Sequence, residues 1–375
     1  MLLGGLCLLL LALSAGAIAA ALRVPSVGWD FRSYCQAADA LAAGRDPVGV
    51  GLFPFVYPPL AAWLWSPLCA AGVAVYPWLY AAALLASFVV TQRGDTLERL
   101  VLATLLVGGF GAAYWSFATG NVGLLELLLL AVGFAAAARG HWWPMALAIG
   151  WMGFLKLLPL LYLLPILLRP GAGSPRDRVA PVALGGLCFA ALHLVSFALH
   201  PDYTGSYVSL LLHPPYAHVP GFGWQNPAPV MLLLKGLDAL GAPAPLAAGV
   251  LAAGVALTAL AFQRLRVAHP EDPVRVVAFG LLCVLLWLPR LMPYTFSHAV
   301  VPAFLLGGGR STARQAMLLV ASVALPFALR VRNPMAAAPE PLWREGGQAF
   351  ALILCAALLL AWNLRDREGE AVTGT

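Results

Sequence analysis

The chain has 375 residues, 61% of them hydrophobic and only 10% charged, and its mean hydropathy is +0.85. A soluble domain is about a quarter charged, so the composition excludes one and reads as an all-α, polytopic membrane protein. The net charge of +6 is spread as single arginines between apolar runs, which argues against a nucleic-acid surface and fits the retention of Lys and Arg in cytoplasmic loops.

Taken in chain order, residues 2–22 form the first apolar run. They lack the basic start of a signal peptide and are read as a retained span with its amino terminus inside. The span delivers residues 23–73 to the outside as a loop with two interfacial helices. In the first, Phe31, Tyr34, Ala38 and Leu41 share one face, Arg32, Gln36 and Asp39 another, and Gly44 suits the carboxyl end. The second begins at Pro58 or Pro59 and is too short to span comfortably. Cys35 and Cys69 both fall in this loop, and whether they meet is open.

The remaining runs alternate as spans over about 74–91, 99–118, 121–138, 143–155, 157–168, 179–199, 243–263, 274–289, 298–309, 315–330 and 347–363. With the first, this gives about 12 spans in one membrane domain, residues 1–363, followed by a cytoplasmic tail, 364–375. On this count the loops containing Arg93 and Arg99, Arg139, Arg169 and Arg176, Arg264 and Arg266, and Arg310 and Arg314 are all cytoplasmic. Residues 200–240 form a second external loop, rich in Pro, Gly, His and aromatics.

Few residues break the apolar pattern, and those gather toward one side of the membrane. Asp30, one residue before the first interfacial helix, reads equally as a helix N-cap or as a general base at the mouth of the membrane. Lys156, in "GWMGFLKLLPLLYLLP", is a cation between two apolar runs; it either snorkels to the interface or binds an anion. Glu126 is expected to pair with Lys156 or an arginine rather than to act in catalysis. Arg290 and His298, in "WLPRLMPYTFSHAVVP", sit at the outer ends of consecutive spans, and with Lys156 they suit a phosphate-bearing substrate. His193, His200, His213 and His218 match no zinc spacing, and no phosphate-binding glycine motif is present, so neither a metal centre nor a nucleotide site is expected.

Five segments together resemble the polyprenyl-phosphate-sugar-dependent glycosyltransferases of family 87. They are "DFRSYCQAADALAAGRDPV" from Asp30, "FVYPPLAAWLWSPL" from Phe55, "TGNVGLLELLLLAVGFAAAARG" from Thr119, "ALAIGWMGFLKLLPLLYLLPILL" from Ala146 and, more weakly, "GWQNPAPVMLLLKGL" from Gly223. The resemblance implies a C-type membrane glycosyltransferase (GT-C) fold and sugar transfer, with mannose as the sugar, at the external face of the inner (plasma) membrane. The donor it implies is a polyprenyl-phosphate-linked sugar, the acceptor a lipid or glycan, and the surroundings membrane lipids. The acidic residue opening the first external loop, the base in that family, maps onto Asp30, and the family's Lys onto Lys156. Tyr34, Tyr57, Asn121 and Asn226 lie in the matching segments and are substrate-site candidates. The chain departs from the family pattern at Gly120-Asn121 and at the single His298, which leaves sugar and acceptor open.

The expected mechanism is an inverting displacement. Asp30 deprotonates an acceptor hydroxyl, and Lys156, Arg290 and His298 hold the departing phosphate. No cofactor is expected, and a divalent ion assisting the phosphate stays open. The competing class is a lipid-linked saccharide transporter or flippase without transfer chemistry, which predicts polar residues at mid-membrane depth and repeated halves.

Overall fold

The computed structural model describes residues 2–24, 27–51, 54–171, 173–213, 226–307, 311–329 and 346–373, with side chains described as far as residue 365 in the last helix. His218, the Gly223-Trp224-Gln225 stretch and Arg310 lie outside the described residues. Every described element is helical. In chain order the helices are α1 Leu2–Ala21, α2 Trp29–Ala42, α3 Pro59–Ala70, α4 Tyr76–Thr91, α5 Thr96–Gly108, α6 Ala112–Thr119, α7 Gly123–Ala137, α8 Trp143–Leu155 and α9 Leu163–Leu167. They continue with α10 Pro175–Leu199, α11 Pro201–Leu212, α12 Pro229–Ala239, α13 Ala244–Ala268, α14 Pro273–Trp287, α15 Val300–Gly307, α16 Thr312–Leu319, α17 Leu325–Leu329 and a closing helix, Gly347–Thr373.

Among the described residues six helical stretches are long and apolar enough to cross a membrane: Leu2–Ala21, Val73–Thr91, Thr96–Thr119, Pro175–Leu199, Ala244–Ala268 and Gly347–Arg365. The other expected spans correspond to shorter or interrupted helices, so helix length by itself supports six passes and not about 12. Boundaries also move outward at arginines. Helix α10 already contains Arg176 and Arg178, α13 runs past Arg264 and Arg266, and the closing helix continues through most of the segment read as a tail. Long arginine stems pack along an apolar helix while their heads reach water, so the helix outlasts the apolar run.

Helix α2 has the faces its sequence predicts. Phe31, Tyr34 and Ala38 are buried, and Arg32, Gln36 and Asp39 are exposed. It ends in a Schellman turn: Gly44, at φ +66°, donates its N–H to Leu41 O, and Arg45 donates to Ala40 O. Helix α3 starts at Pro59 and has 12 residues, about 18 Å, too little for a crossing of about 30 Å. A disulfide joins Cys35 on α2 to Cys69 on α3, so the two helices are covalently tied.

The expected span over 99–118 is broken. Between α5 and α6 the chain makes a tight turn at Gly109–Gly111, with Phe110 at φ 53°. The Phe110 carbonyl freed by this break accepts a hydrogen bond from Gln348 of the closing helix, which also donates to Pro293 O. Interrupted backbone inside a membrane needs such a partner.

Helices α8 and α9 fold back on each other as a hairpin with Lys156 at its tip. Gly185 of α10 sits against both Ala146, in the first turn of α8, and Leu163, at the start of α9. At the open end the Arg169 guanidinium lies 4.8 Å over the Trp142 ring. Helix α8 has 13 residues and α7 has 15, about 20 and 22 Å long. Helix α8 packs against α10, which has 25 residues and is about 37 Å long.

The arginine-bearing turns gather at the opposite end. Arg93 lies within electrostatic reach of Asp272, Gly171 approaches Pro270, His269 Nε2 is 2.9 Å from Asn363 O, and the Arg314 guanidinium lies 6.0 Å from the Trp362 ring.

Candidate active site

Asp30 is in the first turn of α2 and does not cap it. The N-cap position is Gly28, at φ 76° and ψ 30°, with no side-chain capping bond. Gly28 fits because the backbone there turns left-handed and docks on α6, its N–H donating to Ala118 O at 2.9 Å. Across the contact Gly120 has φ +74°, and a Cβ on it would stand 2.7 Å from Phe31 Cβ. Two glycines therefore let α2 sit directly on the turn between α6 and α7, which brings Asp30 to Asn121.

Asn121 is the hub of the site. Its Nδ2 donates to Asp30 Oδ2 at 2.8 Å and to Tyr34 Oη at 3.1 Å. Its Oδ1 accepts from Lys156 Nζ at 3.1 Å. The backbone N–H of Asn121 donates to Thr119 Oγ1 at 3.0 Å, which fixes the turn. Asn121 is 2% exposed, so its amide orientation is set by these partners.

Lys156 also donates to Glu126 Oε2 at 2.8 Å, and its ammonium lies 4.8 Å over the Tyr294 ring. The partnership expected for Glu126 is thus present. Lys156 is the C-cap of α8, held by an anion, an amide and an aromatic face.

Burial pushes the Asp30 carboxyl up to about 6, against the Asn121 hydrogen bond, the Lys156 charge and a Thr119 hydrogen bond, all of which favour the ionised form. Tyr34 and Tyr57 are buried with their hydroxyls 3.1 Å apart, and desolvation holds both well above the ordinary phenol value, so they remain hydroxyls. Tyr34 also stacks on Trp65 of α3 at 5.1 Å.

The other sequence candidates are placed differently. His298 is fully buried, with Nδ1 2.9 Å from Tyr162 Oη and Nε2 3.1 Å from Glu126 Oε2. Both ring nitrogens are thus engaged within the protein, where the sequence reading expected His298 to hold a phosphate. Asn226 accepts from Leu291 N–H at 2.9 Å and donates to Pro289 O at 2.9 Å, so it braces the backbone on both sides of Arg290 instead of facing the Asp30 site. Arg290 is within electrostatic reach of Tyr294, the ring beneath Lys156.

Three residues absent from the sequence reading belong to this constellation: Thr119, Tyr162 and Tyr294. The Thr119-Gly120-Asn121 break between two apolar runs was the available signal for the first. Nothing local marks Tyr162 or Tyr294 among the aromatics of a membrane protein. Among the described residues no three His, Cys, Asp or Glu side chains come together as a ligand set.

The arrangement offers a partly buried carboxylate and an ammonium linked by one amide, under a tyrosine-lined cap, at one end of a helical bundle. Residues 55–293 match the sequence profile of glycosyltransferase family 87. The chain is also 31% identical over 319 residues to the polyprenol-phosphate-mannose-dependent alpha-(1-2)-phosphatidylinositol mannoside mannosyltransferase of Mycobacterium tuberculosis (strain ATCC 25618 / H37Rv), a match covering 75% of this chain and 69% of that protein. No solved structure matches at the same stringency. The chain belongs to glycosyltransferase family 87.

Proposed function

We propose that this protein transfers mannose from a polyprenyl-phosphate donor to a lipid-linked acceptor at the external membrane face, with inversion and with Asp30 as general base. The observation that carries the reading is the Asp30–Asn121–Lys156 linkage. It holds a base and a cation on either side of one amide, as a displacement that takes a proton from the attacking hydroxyl and leaves charge on a departing phosphate requires. The donor and the lipid nature of the acceptor are carried over from the mycobacterial relative's description.

In the proposed reaction the acceptor oxygen attacks the anomeric carbon as its proton passes to Asp30, and the glycosidic bond to phosphate breaks with the electron pair leaving on the phosphate oxygen. Lys156 and Arg290 receive that charge. Asn121 keeps Asp30 and Lys156 in register, and Tyr34 and Tyr57 line the approach.

The external location is supported by the Cys35–Cys69 disulfide, because such bonds persist in oxidising compartments, and by the arginine-bearing turns lying at the other end. An architecture of about 12 passes of GT-C type follows if the six shorter stretches, Gly123–Ala137, Trp143–Leu155, Leu158–Leu167, Pro273–Trp287, 293–307 and Thr312–Ala328, cross beside the six long ones.

The test is to incubate membranes containing the protein with radiolabelled polyprenyl-phosphate mannose and lipid extract, and to compare the anomeric configuration of donor and product. Labelled lipid absent from Asp30→Asn membranes supports the reading. Translocation of the donor without any transfer product would favour a flippase.

A further inference from the structure

On the far side of Lys156 from Asp30, Tyr162, His298 and Glu126 form a line of side chains, each 0% exposed, to which the reaction above gives no direct part. Tyr162 Oη is 2.9 Å from His298 Nδ1. His298 Nε2 is 3.1 Å from Glu126 Oε2, the same oxygen that takes the Lys156 ammonium at 2.8 Å. The second Glu126 oxygen, Oε1, is buried and has no hydrogen-bond partner among the described residues.

The donors and acceptors assign the protons. An ionised carboxylate only accepts, so Nε2 carries the hydrogen toward Glu126. Nδ1 of that neutral tautomer is an acceptor, and the Tyr162 hydroxyl is its donor. The carboxylate thus fixes the imidazole tautomer, the phenol anchors the ring by donating to the nitrogen left as acceptor, and the imidazole presents an N–H to the counter-ion of Lys156.

This matters when a phosphate competes for Lys156. An ammonium leaning toward a new anion withdraws from Glu126, and a buried carboxylate left without partners is strongly disfavoured. Since no described residue donates to Oε1, the His298 N–H is what remains to Glu126 among them when Lys156 moves.

The geometry points to Tyr162 and His298 as positioning residues for donor use: Tyr162 anchors the His298 ring through Nδ1, and His298 keeps Glu126 satisfied so that Lys156 is free to exchange it for the donor phosphate. The inference rests on the reading that Lys156 meets that phosphate.

The test uses the full-length protein in lipid nanodiscs, with labelled polyprenyl-phosphate mannose as varied donor and lipid extract as acceptor. Tyr162→Phe, His298→Leu, His298→Gln and the Tyr162→Phe/His298→Leu double variant are compared. Tyr162→Phe is expected to lower donor kcat/KM roughly fivefold, the scale of one neutral hydrogen bond, with the acceptor KM unchanged. His298→Leu should lose more, and His298→Gln, whose amide still offers an N–H, should recover part of it. In the His298→Leu background the Tyr162 substitution should have no further effect, because it acts through the imidazole.

Wild-type donor kinetics in Tyr162→Phe, equal losses for donor and acceptor, or additive losses in the double variant would overturn the inference. Tyr162→Phe deletes one hydroxyl and carries the test even if His298→Leu does not fold. Lys156→Met and Asp30→Asn separate the two levels. If those two lose transfer while the Tyr162 and His298 variants behave as wild type, only the positioning inference fails; if they keep it, the underlying reading fails.

Discussion

Lys156 and Glu126 meet at 2.8 Å from the ends of two different short helices, with side chains 19% and 0% exposed. Glu126 lies in the first turn of α7 and Lys156 caps the carboxyl end of α8, so each charge stands where its own helix dipole favours it. Desolvating such a pair consumes most of its Coulombic gain, and a well-packed apolar pair would serve stability as well. What the pair does accomplish is to hold an ammonium at a fixed point, 3.1 Å from the amide oxygen of Asn121.

Asp30→Asn is expected to abolish transfer, a loss on the order of 10²- to 10⁴-fold, the usual scale for a general base. Expression and insertion should stay normal, because Asp30 does not cap α2 and an amide can still accept from Asn121. Transfer at the wild-type rate in membranes carrying this variant would remove Asp30 as base and turn attention to Asp39 and Asp46.

The acid limb of kcat/KM for the acceptor should lie near pH 6, where the buried Asp30 carboxyl titrates, with activity rising as the pH rises through it. Lys156 lowers that value, so whatever activity Lys156→Met retains should show the limb displaced to higher pH; displacement to lower pH contradicts the assignment. The stability effect has a definite sign. A carboxyl raised from 3.8 to about 6 binds its proton more tightly in the folded state, so its contribution is full below 3.8 and is lost as the pH rises through 6. Thermal unfolding should accordingly show Asp30→Asn at least as stable as wild type above pH 6.

Replacing Lys156 or Arg290 with Met or Gln should weaken donor use far more than acceptor use. A charge-assisted contact is worth about 1.5 to 3 kcal/mol, or roughly ten- to a hundredfold in donor kcat/KM. Unchanged donor kinetics in both variants would dissolve the phosphate site.

The paired interfacial helices should be accessible from outside and should depend on their disulfide. An impermeant thiol reagent added to intact cells is expected to label Arg45→Cys and Ala71→Cys, both at exposed positions, in a background lacking the other cysteines. Labelling of Ala71→Cys only after permeabilisation would make α3 a span. Cys35→Ser with Cys69→Ser should lower the unfolding temperature, since the bond closes a loop of 34 residues and such closures contribute about 3 to 4 kcal/mol.

The sequence by itself determined the class of protein and the outline of its helices. Apolar runs have to be buried in lipid or in each other, and their lengths are local properties, so α1, α4, α8 and α13 begin within a few residues of where hydropathy places them. The faces of α2 were legible for the same reason, because helical periodicity turns residue type into direction. Local chemistry also marked Asp30, Glu126 and Lys156, each a charge where charge is costly. Only the tertiary structure decided how they work together. The break at Phe110, the fold-back of α8 on α9 and the docking of Gly28 against Gly120 depend on contacts between segments far apart in the chain. Those contacts put Asn121 between Asp30 and Lys156, moved His298 from the expected phosphate contact to a position behind Glu126, set Asn226 to brace the Arg290 loop, and brought in Tyr162, which no local signal distinguishes. Hydropathy reports how strongly each residue avoids water; which buried polar groups satisfy one another is settled by packing across the whole bundle.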